Sequence, residues 1–394
     1  MVNTGSHLAA TLDEEHMAAV TWSRITEAED IAAFRWINHF GYRGGIDVLK
    51  EEINQFNAST FDDGLAGSNF SEAFNRSIQR WASRLQNLSA FNYDVLPKLG
   101  ITILIPQDCD WPRQLNDLGE RRPLCLWVRG NVEALQLPMV SIVGSRDASS
   151  VGKRFTLDIS HDISDKYVVV SGGAFGIDAF AHEGALAAAG KTIIVSAGGV
   201  DRAYPKANEQ LFNDALNQGG AVVSESPLAA SPQRHRFLAR NRIIAALGSG
   251  TLVVEASFRS GALNTARHAL ELGREVGAVP GSIESHFSSG CHELIRNGGI
   301  LVSSSQHLRE MLGSIGEVNN GQGVQVDDAF AGAFKNGYDP ILERVFDAVP
   351  QVRGAAVQNI ARLSGLNEDD VQSALGKLLI MNRVIFRNGR WVKG

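Results

Sequence analysis

The sequence predicts an α/β fold built on a doubly wound, mostly parallel sheet, and three observations carry that expectation. From residue 139 onward short apolar, β-branched runs recur, at 140–143, 167–170, 192–195, 221–223, 251–254, 276–279 and 300–302. Between most of them lie Ala-rich amphipathic stretches, such as 178–189, 209–216 and 263–272. Strands that are apolar throughout, joined by helices, belong to a parallel sheet covered on both faces. The turns after the first three runs are rich in glycine, and in such sheets ligands bind beyond the carboxyl ends of the strands.

The remaining elements follow in chain order. Residues 1–95 read as a helical domain: 32–40 and 70–88 carry apolar residues at helical spacing, among them Phe34, Phe70, Phe74 and Trp81, with Gly41, Gly44 and Gly45 between. Residues 96–138 read as a connecting segment leading into the sheet, with strand-like 101–105 and 124–128. The sheet domain is expected over 139–312. Residues 313–337, rich in Gly, Asn, Asp and Gln, read as a linker. The last unit, 338–394, has helical patterns at 341–346, 357–363 and 371–379. Strand-like 383–386 and 390–393 then flank Asn388-Gly389, a hairpin signal. Three helices and a hairpin make a winged helix.

Composition bounds the function. Of 394 residues 44% are hydrophobic and 20% charged, a globular balance that suggests two or three domains. The longest apolar runs are too short to span a bilayer, and the first thirty residues, with Asp13, Glu14 and Glu15, lack a secretory pattern. Cys109, Cys125 and Cys291 form no CxxC pair, so neither a disulfide framework nor a zinc site is indicated and a reducing cytoplasm is expected. The net charge of −6 weighs against nucleic acid, but the charge is uneven. Arg234, Arg236, Arg240 and Arg242 lie in a carboxylate-free stretch from 231 to 254, and 371–394 holds five basic residues and no carboxylate. Local basic patches matter more to phosphate binding than the sum.

The chemistry concentrates at the turns. Val143-Gly144-Ser145-Arg146 follows the first strand. Ser171-Gly172-Gly173-Ala174-Phe175-Gly176-Ile177-Asp178 follows the second and leads into a helix. Gly198-Gly199-Val200-Asp201 and Tyr204-Pro205-Lys206 follow the third. Glycine lets backbone N–H groups approach an anion, a helix N-terminus adds partial positive charge, and Arg146 and Lys206 add full charges. One such loop is ordinarily just a tight turn; three at one edge read as a phosphate-binding crevice. The stretch Arg236-Phe237-Leu238-Ala239-Arg240-Asn241-Arg242 combines arginines for phosphates with an aromatic for a base, which suits a flexible single strand. The plainer reading buries Phe237 and pairs the arginines with Glu225 or Glu255.

Other chemistries lack their patterns. A dinucleotide cofactor needs G-x-G-x-x-G after the first strand, which reads Gly144-Ser145-Arg146-Asp147 here, and an acidic end to the second. Gly190-Lys191-Thr192 lacks the earlier P-loop glycine and leads from helix into strand, the reverse order. There is no G-x-S-x-G elbow. His182-Glu183 and His292-Glu293 lack a second histidine for zinc, and His182 reads as a packing residue. No cofactor, metal or catalytic residue is expected. Asp178, Asp201, Glu225 and Glu255, at or near strand ends, suit acid–base groups or, as we favour, helix caps and partners of the arginines.

Taken together these motifs resemble the DNA processing protein A family (DprA, also called Smf). To those quoted are added Ala181-His182, Asn208, Ser224-Glu225, Arg240-Asn241-Arg242-Ile243-Ile244, Val254-Glu255-Ala256, Ser260-Gly261 and Ala278-Val279-Pro280-Gly281, and upstream Asp110-Trp111-Pro112 with Leu115 and Pro123. The resemblance implies a Rossmann-like DNA-binding domain, an N-terminal helical domain of SAM-like type and a terminal winged helix. It implies binding of single-stranded DNA without catalysis, protection of incoming strands, loading of RecA recombinase in natural transformation, and a homodimer with no membrane insertion. Carried over by motif, the site comprises Gly144, Ser145, Arg146, Gly172, Gly173, Ala174, Gly176, Lys206, Phe237, Arg240, Asn241 and Arg242. Gly290-Cys291-His292 departs from the family's Gly-Ser/Thr-Asn, so the contacts of that loop are open. Two alternatives remain: a nucleotide-processing enzyme of phosphoribohydrolase type, loosely echoed by Gly248-Ser249-Gly250-Thr251 with Glu255, and a duplex-reading winged-helix regulator. Against the latter, Glu368-Asp369-Asp370 open its recognition helix and repel a major groove.

Overall fold

Every residue of β3 (Met139–Val143) is buried, and its side chains alternate between two cores. Met139 and Val143 join a core on one face, Val140 and Ile142 a core on the other. The same period-two division places Val168 and Val170 opposite Val169, and Leu252 and Val254 opposite Val253. That is why these runs are apolar throughout. The computed structural model describes residues 12–51, 68–258, 260–317, 340–351, 354–387 and 389–394.

The chain opens with α1 (Glu14–Ile25), α2 (Ile31–Phe40), α3 (Tyr42–Glu51), α4 (Ser68–Gln86) and the short α5 (Val95–Lys98). Trp22, Trp36 and Trp81 form their core, with Trp22 and Trp81 edge to face at 5.4 Å. The expected break falls at Gly41, with φ +75°, whereas Gly44 and Gly45 lie inside α3. A Cβ at Gly45 would stand 2.9 Å from the Trp36 ring, so the small residue serves packing.

Two further strands, β1 (Ile101–Leu104) and β2 (Leu126–Gly130), precede β3. After it alternate α6 (Ser150–Ile163), β4 (Val168–Ser171), α7 (Ile177–Ala187), β5 (Thr192–Val195), α8 (Glu209–Asn217), β6 (Ala221–Ser224) and α9 (Arg234–Leu247). The series continues through β7 (Gly250–Val253), α10 (Gly261–Glu271), β8 (Glu275–Ala278), α11 (Ser289–Arg296), β9 (Ile300–Leu301) and α12 (Ser305–Glu317). These nine strands form one sheet in the order β1-β2-β6-β5-β4-β3-β7-β8-β9. The segment 96–138 is therefore more than a connection. β2 pairs antiparallel with β6, Val128 opposite Val223, and β1 with β2, while the pairs from β6 to β9 are parallel. An antiparallel edge strand carries no local mark of its partner, so the sequence shows the strands but not the sheet they join.

The last unit comprises α13 (Pro340–Ala348), α14 (Val357–Ser364), α15 (Glu368–Ile380) and an antiparallel hairpin of β10 (Val384–Arg387) and β11 (Arg390–Lys393). Val345, Ile360, Leu375 and Val384 are among its core residues. The expected linker starts later than 313, because α12 continues to Glu317; the rest of it, from 318 to 337, lies outside the described residues, as does Asn388 of the hairpin turn.

Candidate nucleic-acid interface

The winding reverses at β3. From it the chain proceeds to β4, β5 and β6 on one side, and β7 adds on the other. Two loops thereby diverge at the carboxyl end of β3 and β7, and a crevice of about 330 Å³ opens there. Gly144, Ser145, Arg146, Ala174, Phe237, Arg240 and Asn241 line it, seven of the residues expected from sequence. Asp178 and the start of α10, Ser260 to Ala262, are also part of the wall.

Backbone contacts hold the loops in place. The Ser145 N–H donates to the Glu255 carbonyl at 2.7 Å, and the Ile177 N–H donates to the Ser145 carbonyl at 3.1 Å. The Glu255 carboxylate accepts from the Ser149 N–H at 2.9 Å and its hydroxyl at 2.5 Å, while Ser149 caps α6. Glu255 thus ties the loop after β7 to the helix after β3. Asn241 donates to the Gly261 carbonyl and the Asn264 side chain, fixing the start of α10. At Gly176, φ is +75° and a Cβ would collide with the Ser145 and Arg146 carbonyls, so only glycine lets α7 begin against that loop. Two helix N-termini, of α7 and α10, border the crevice and favour anionic ligands.

The charged groups differ in their freedom. Arg146 is exposed. Arg240 is buried, donates to the Gly172 carbonyl at 2.8 Å and to the Val195 carbonyl, and occupies the space a Cβ at Gly172 would fill. Burial lowers its pKa to about 10, with Asp178 opposing the shift and Arg146 adding to it, so it stays cationic at neutral pH. Burial raises the Asp178 carboxyl, against the pull of Arg240 and Arg146. Phe237 is half-buried, with the Arg146 and Arg240 guanidinium carbons 5.1 and 5.8 Å from its ring centroid, a cation–π arrangement.

Other expected site residues lie elsewhere. Arg242 is fully buried outside the crevice. It makes a bidentate pair with Glu225, both bonds 2.6 Å, and donates to the Arg121 and Ala239 carbonyls. Residues two positions apart on a helix point about 200° apart, so Arg240 and Arg242 cannot face one crevice. Lys206 is exposed on a short turn beyond the crevice lining, although Asn208 in the same turn donates to the Gly173 and Ala174 carbonyls. Gly172 and Gly173 support the crevice from behind: a Cβ at Gly173, where φ is +66°, would press on Ile194 and Phe212. His182 is buried with Nδ1 2.5 Å from the Thr192 hydroxyl, and burial lowers its pKa to about 3, consistent with packing. Sequence reasoning assigned no site role to the start of α10, although Ser260-Gly261 is a capping signal, or to Tyr204, whose ring lies 5.6 Å from that of Phe237.

The first turn of α9 serves a different purpose. Arg236 pairs with Glu27 at 3.1 Å, and Arg234 with Glu343 of α13 at 3.1 Å. The His235 ring lies between Glu27 and Asp347, at 3.7 and 3.9 Å. Burial works against the charge of Glu27, yet His235, Arg236, Arg344 and Arg84 hold its carboxyl far below the ordinary carboxylate range.

Among the described residues no cluster of three metal-ligating side chains occurs, and no helix is long and apolar enough to cross a membrane. The family model for DNA recombination-mediator protein A matches residues 102–313. DNA processing protein DprA of Streptococcus pneumoniae is 43% identical over 204 residues, 52% of this chain and 71% of that protein. Protein Smf of Synechocystis is 32% identical over 341 residues, 78% of this chain and 84% of its own length. The X-ray structure of the pneumococcal DprA superposes with a TM-score of 0.59 at 30% identity, covering 76% of this chain and 98% of that one. The matched span runs from β1 through the crevice loops to α12, so the residues that build the crevice are those that carry the likeness, and the chain belongs to the DNA recombination-mediator protein A family.

Proposed function

We propose that this chain binds single-stranded DNA in the crevice, protects it, and delivers it to RecA recombinase, with no bond-making chemistry of its own. The observation that carries the reading is the exposed Arg146 set against Phe237 and Arg240 between two helix N-termini. Guanidinium groups hold phosphates, an adjoining aromatic suits unpaired bases, and neither reads sequence. The relatives' names, DNA processing protein and recombination mediator, support the same role.

In this reading Gly144, Ser145, Arg146, Ala174, Phe237, Arg240 and Asn241 meet the strand, Gly172, Gly173 and Gly176 shape the wall, and Lys206 adds charge beside it. Residues 139–312 carry the site, the terminal winged helix lies apart from it, and the protein acts as a cytoplasmic homodimer. The enzyme alternative relied on Glu255, whose carboxylate is engaged by Ser149, which supports a structural role. The duplex alternative meets exposed Glu368 and Asp369 at the start of α15.

Gel-shift titration with labelled oligo-thymidine and with duplex, each with and without AMP, tests the proposal. Tighter binding of the single strand, indifferent to AMP and to added metal, is expected. Equal or tighter binding of duplex, or competition by AMP, overturns it.

A further inference from the structure

Phe237, the half-buried aromatic in the crevice, has close neighbours around its ring. Arg146 and Arg240 stand against its ring, and the Tyr204 ring lies 5.6 Å from it at an interplanar angle of 52°. A base stacking on Phe237 shares the ring with these neighbours. Tyr204 itself is half exposed, at 50%. It extends the aromatic surface beyond Phe237.

Tyr204 is also firmly placed. Before it, the Asp201 carboxylate accepts the Ala229 N–H at 2.9 Å, and the Gly199 N–H donates to the Ala230 carbonyl at 3.1 Å. After it, the Asn208 side chain donates to the Gly173 and Ala174 carbonyls at 3.0 and 3.3 Å, joining the loop after β5 to the crevice wall. A ring held at both ends of its loop loses little freedom when a ligand covers it. In the sheet β5, β4 and β3 are neighbours, so the loops bearing Tyr204, Ala174 and Arg146 stand side by side. At strand spacing the two outer loops are about 10 Å apart, within reach of neighbouring nucleotides of one strand. The exposed Lys206 lies two residues beyond Tyr204.

We propose that Tyr204 is a base-stacking platform that extends the single-strand site from Phe237 and the crevice across the end of β5. This rests on the single-strand reading above. The platform is indifferent to base identity, because every base has a π-face.

Titrations of the full chain with oligo-thymidine at several salt concentrations test it, with Tyr204→Ala, Tyr204→Phe, Tyr204→Leu and Arg146→Ala compared with the parent by circular dichroism first. Tyr204→Ala should lose affinity by about 5- to 100-fold at every salt concentration with the log–log salt slope preserved. Tyr204→Leu, which keeps apolar bulk against Phe237, should lose nearly as much and serves where the alanine variant does not fold. Tyr204→Phe should bind like the parent. Arg146→Ala should flatten the slope by roughly 0.7 per lost phosphate contact. Parental affinity in the alanine and leucine variants with a weakened Arg146→Ala overturns the platform and leaves the crevice reading intact. Loss of affinity in Tyr204→Phe reassigns the residue to a hydroxyl contact and likewise overturns it. Parental affinity in Arg146→Ala overturns the crevice reading, and the platform with it.

Discussion

Helix α9 borders two regions that the sequence presents as one basic stretch, and they behave oppositely. On the crevice side stand Arg240 and the neighbouring Arg146, with Asp178 as the buried carboxylate beside them. At the first turn and on the far face, Arg234, Arg236 and Arg242 meet Glu343, Glu27 and Glu225 one by one. The first region keeps an exposed cation, Arg146; the second uses its cations to join the N-terminal helices, the sheet and α13. A run of arginines therefore does not mark a binding surface. What separates the two regions is whether an exposed guanidinium meets a carboxylate, and that is decided by partners far away in sequence, such as Glu27 and Glu343.

The sharpest way to break this comparison is Arg242→Ala. A fully buried, bidentate partner of Glu225 is lost, and Glu225 and the Arg121 carbonyl are left unpaired. Unfolding free energy should fall by about 3–5 kcal/mol, seen as a lower denaturation midpoint, while the fraction that remains folded binds oligo-thymidine normally. Weakened binding by stable Arg242→Ala protein would instead assign Arg242 to the ligand.

Arg146→Ala should show the converse. Removing a charge-assisted phosphate contact costs about 1.5–3 kcal/mol, at least roughly tenfold in affinity, with the thermal midpoint unchanged because the side chain is exposed. A large fall in melting temperature would place Arg146 with the structural arginines.

The ionic junction carries a pH signature. Glu27 has a folded pKa held below its ordinary value of 4.5. Its contribution is therefore complete above that value and is lost as pH falls through the depressed one. Glu27→Gln should cost roughly 1–2 kcal/mol at neutral pH and flatten the acid limb of the stability profile below about pH 4.5. A variant whose acid denaturation parallels that of the parent removes Glu27 from the account.

The smallest effect is expected from deleting 337–394. It removes the Arg234–Glu343 pair and the contacts of Asp347 and Arg344 with His235 and Glu27, but no residue that lines the crevice, so single-strand affinity should stay within about threefold of the full chain. Near-complete loss in filter binding would move the site to the terminal unit.

Much of this molecule is legible in its residues. Apolar runs such as Val140-Ser141-Ile142-Val143 announce a sheet buried on both faces, and the glycines after β3 and β4 mark where its loops crowd together. The same signals reach Arg146, Ala174 and Asn241. Even the exclusion of Arg242 was available, since two helical positions about 200° apart cannot share a crevice with Arg240. Strand pairing was less accessible: residues 124–128 read as a strand, observed at Leu126–Gly130, but nothing local says that it lies against β6. Nor does an isolated Tyr204-Pro205 say that its ring will meet Phe237, because that contact joins the loop after β5 to α9.

The division has a physical cause. Periodicity, capping and glycine placement are local properties, set by backbone sterics and by which side chains avoid water, so the sequence alone determined the α/β layering, the loops at the carboxyl edge and the basic character of α9. Whether a given arginine is free or neutralised depends on a carboxylate within about 4 Å, and Glu27, Glu225 and Glu343 are brought there by packing between segments up to 209 residues apart. Only the tertiary structure could decide that Arg146 faces solvent, that Arg242 is a buried strut, and that the Tyr204 ring lies beside Phe237.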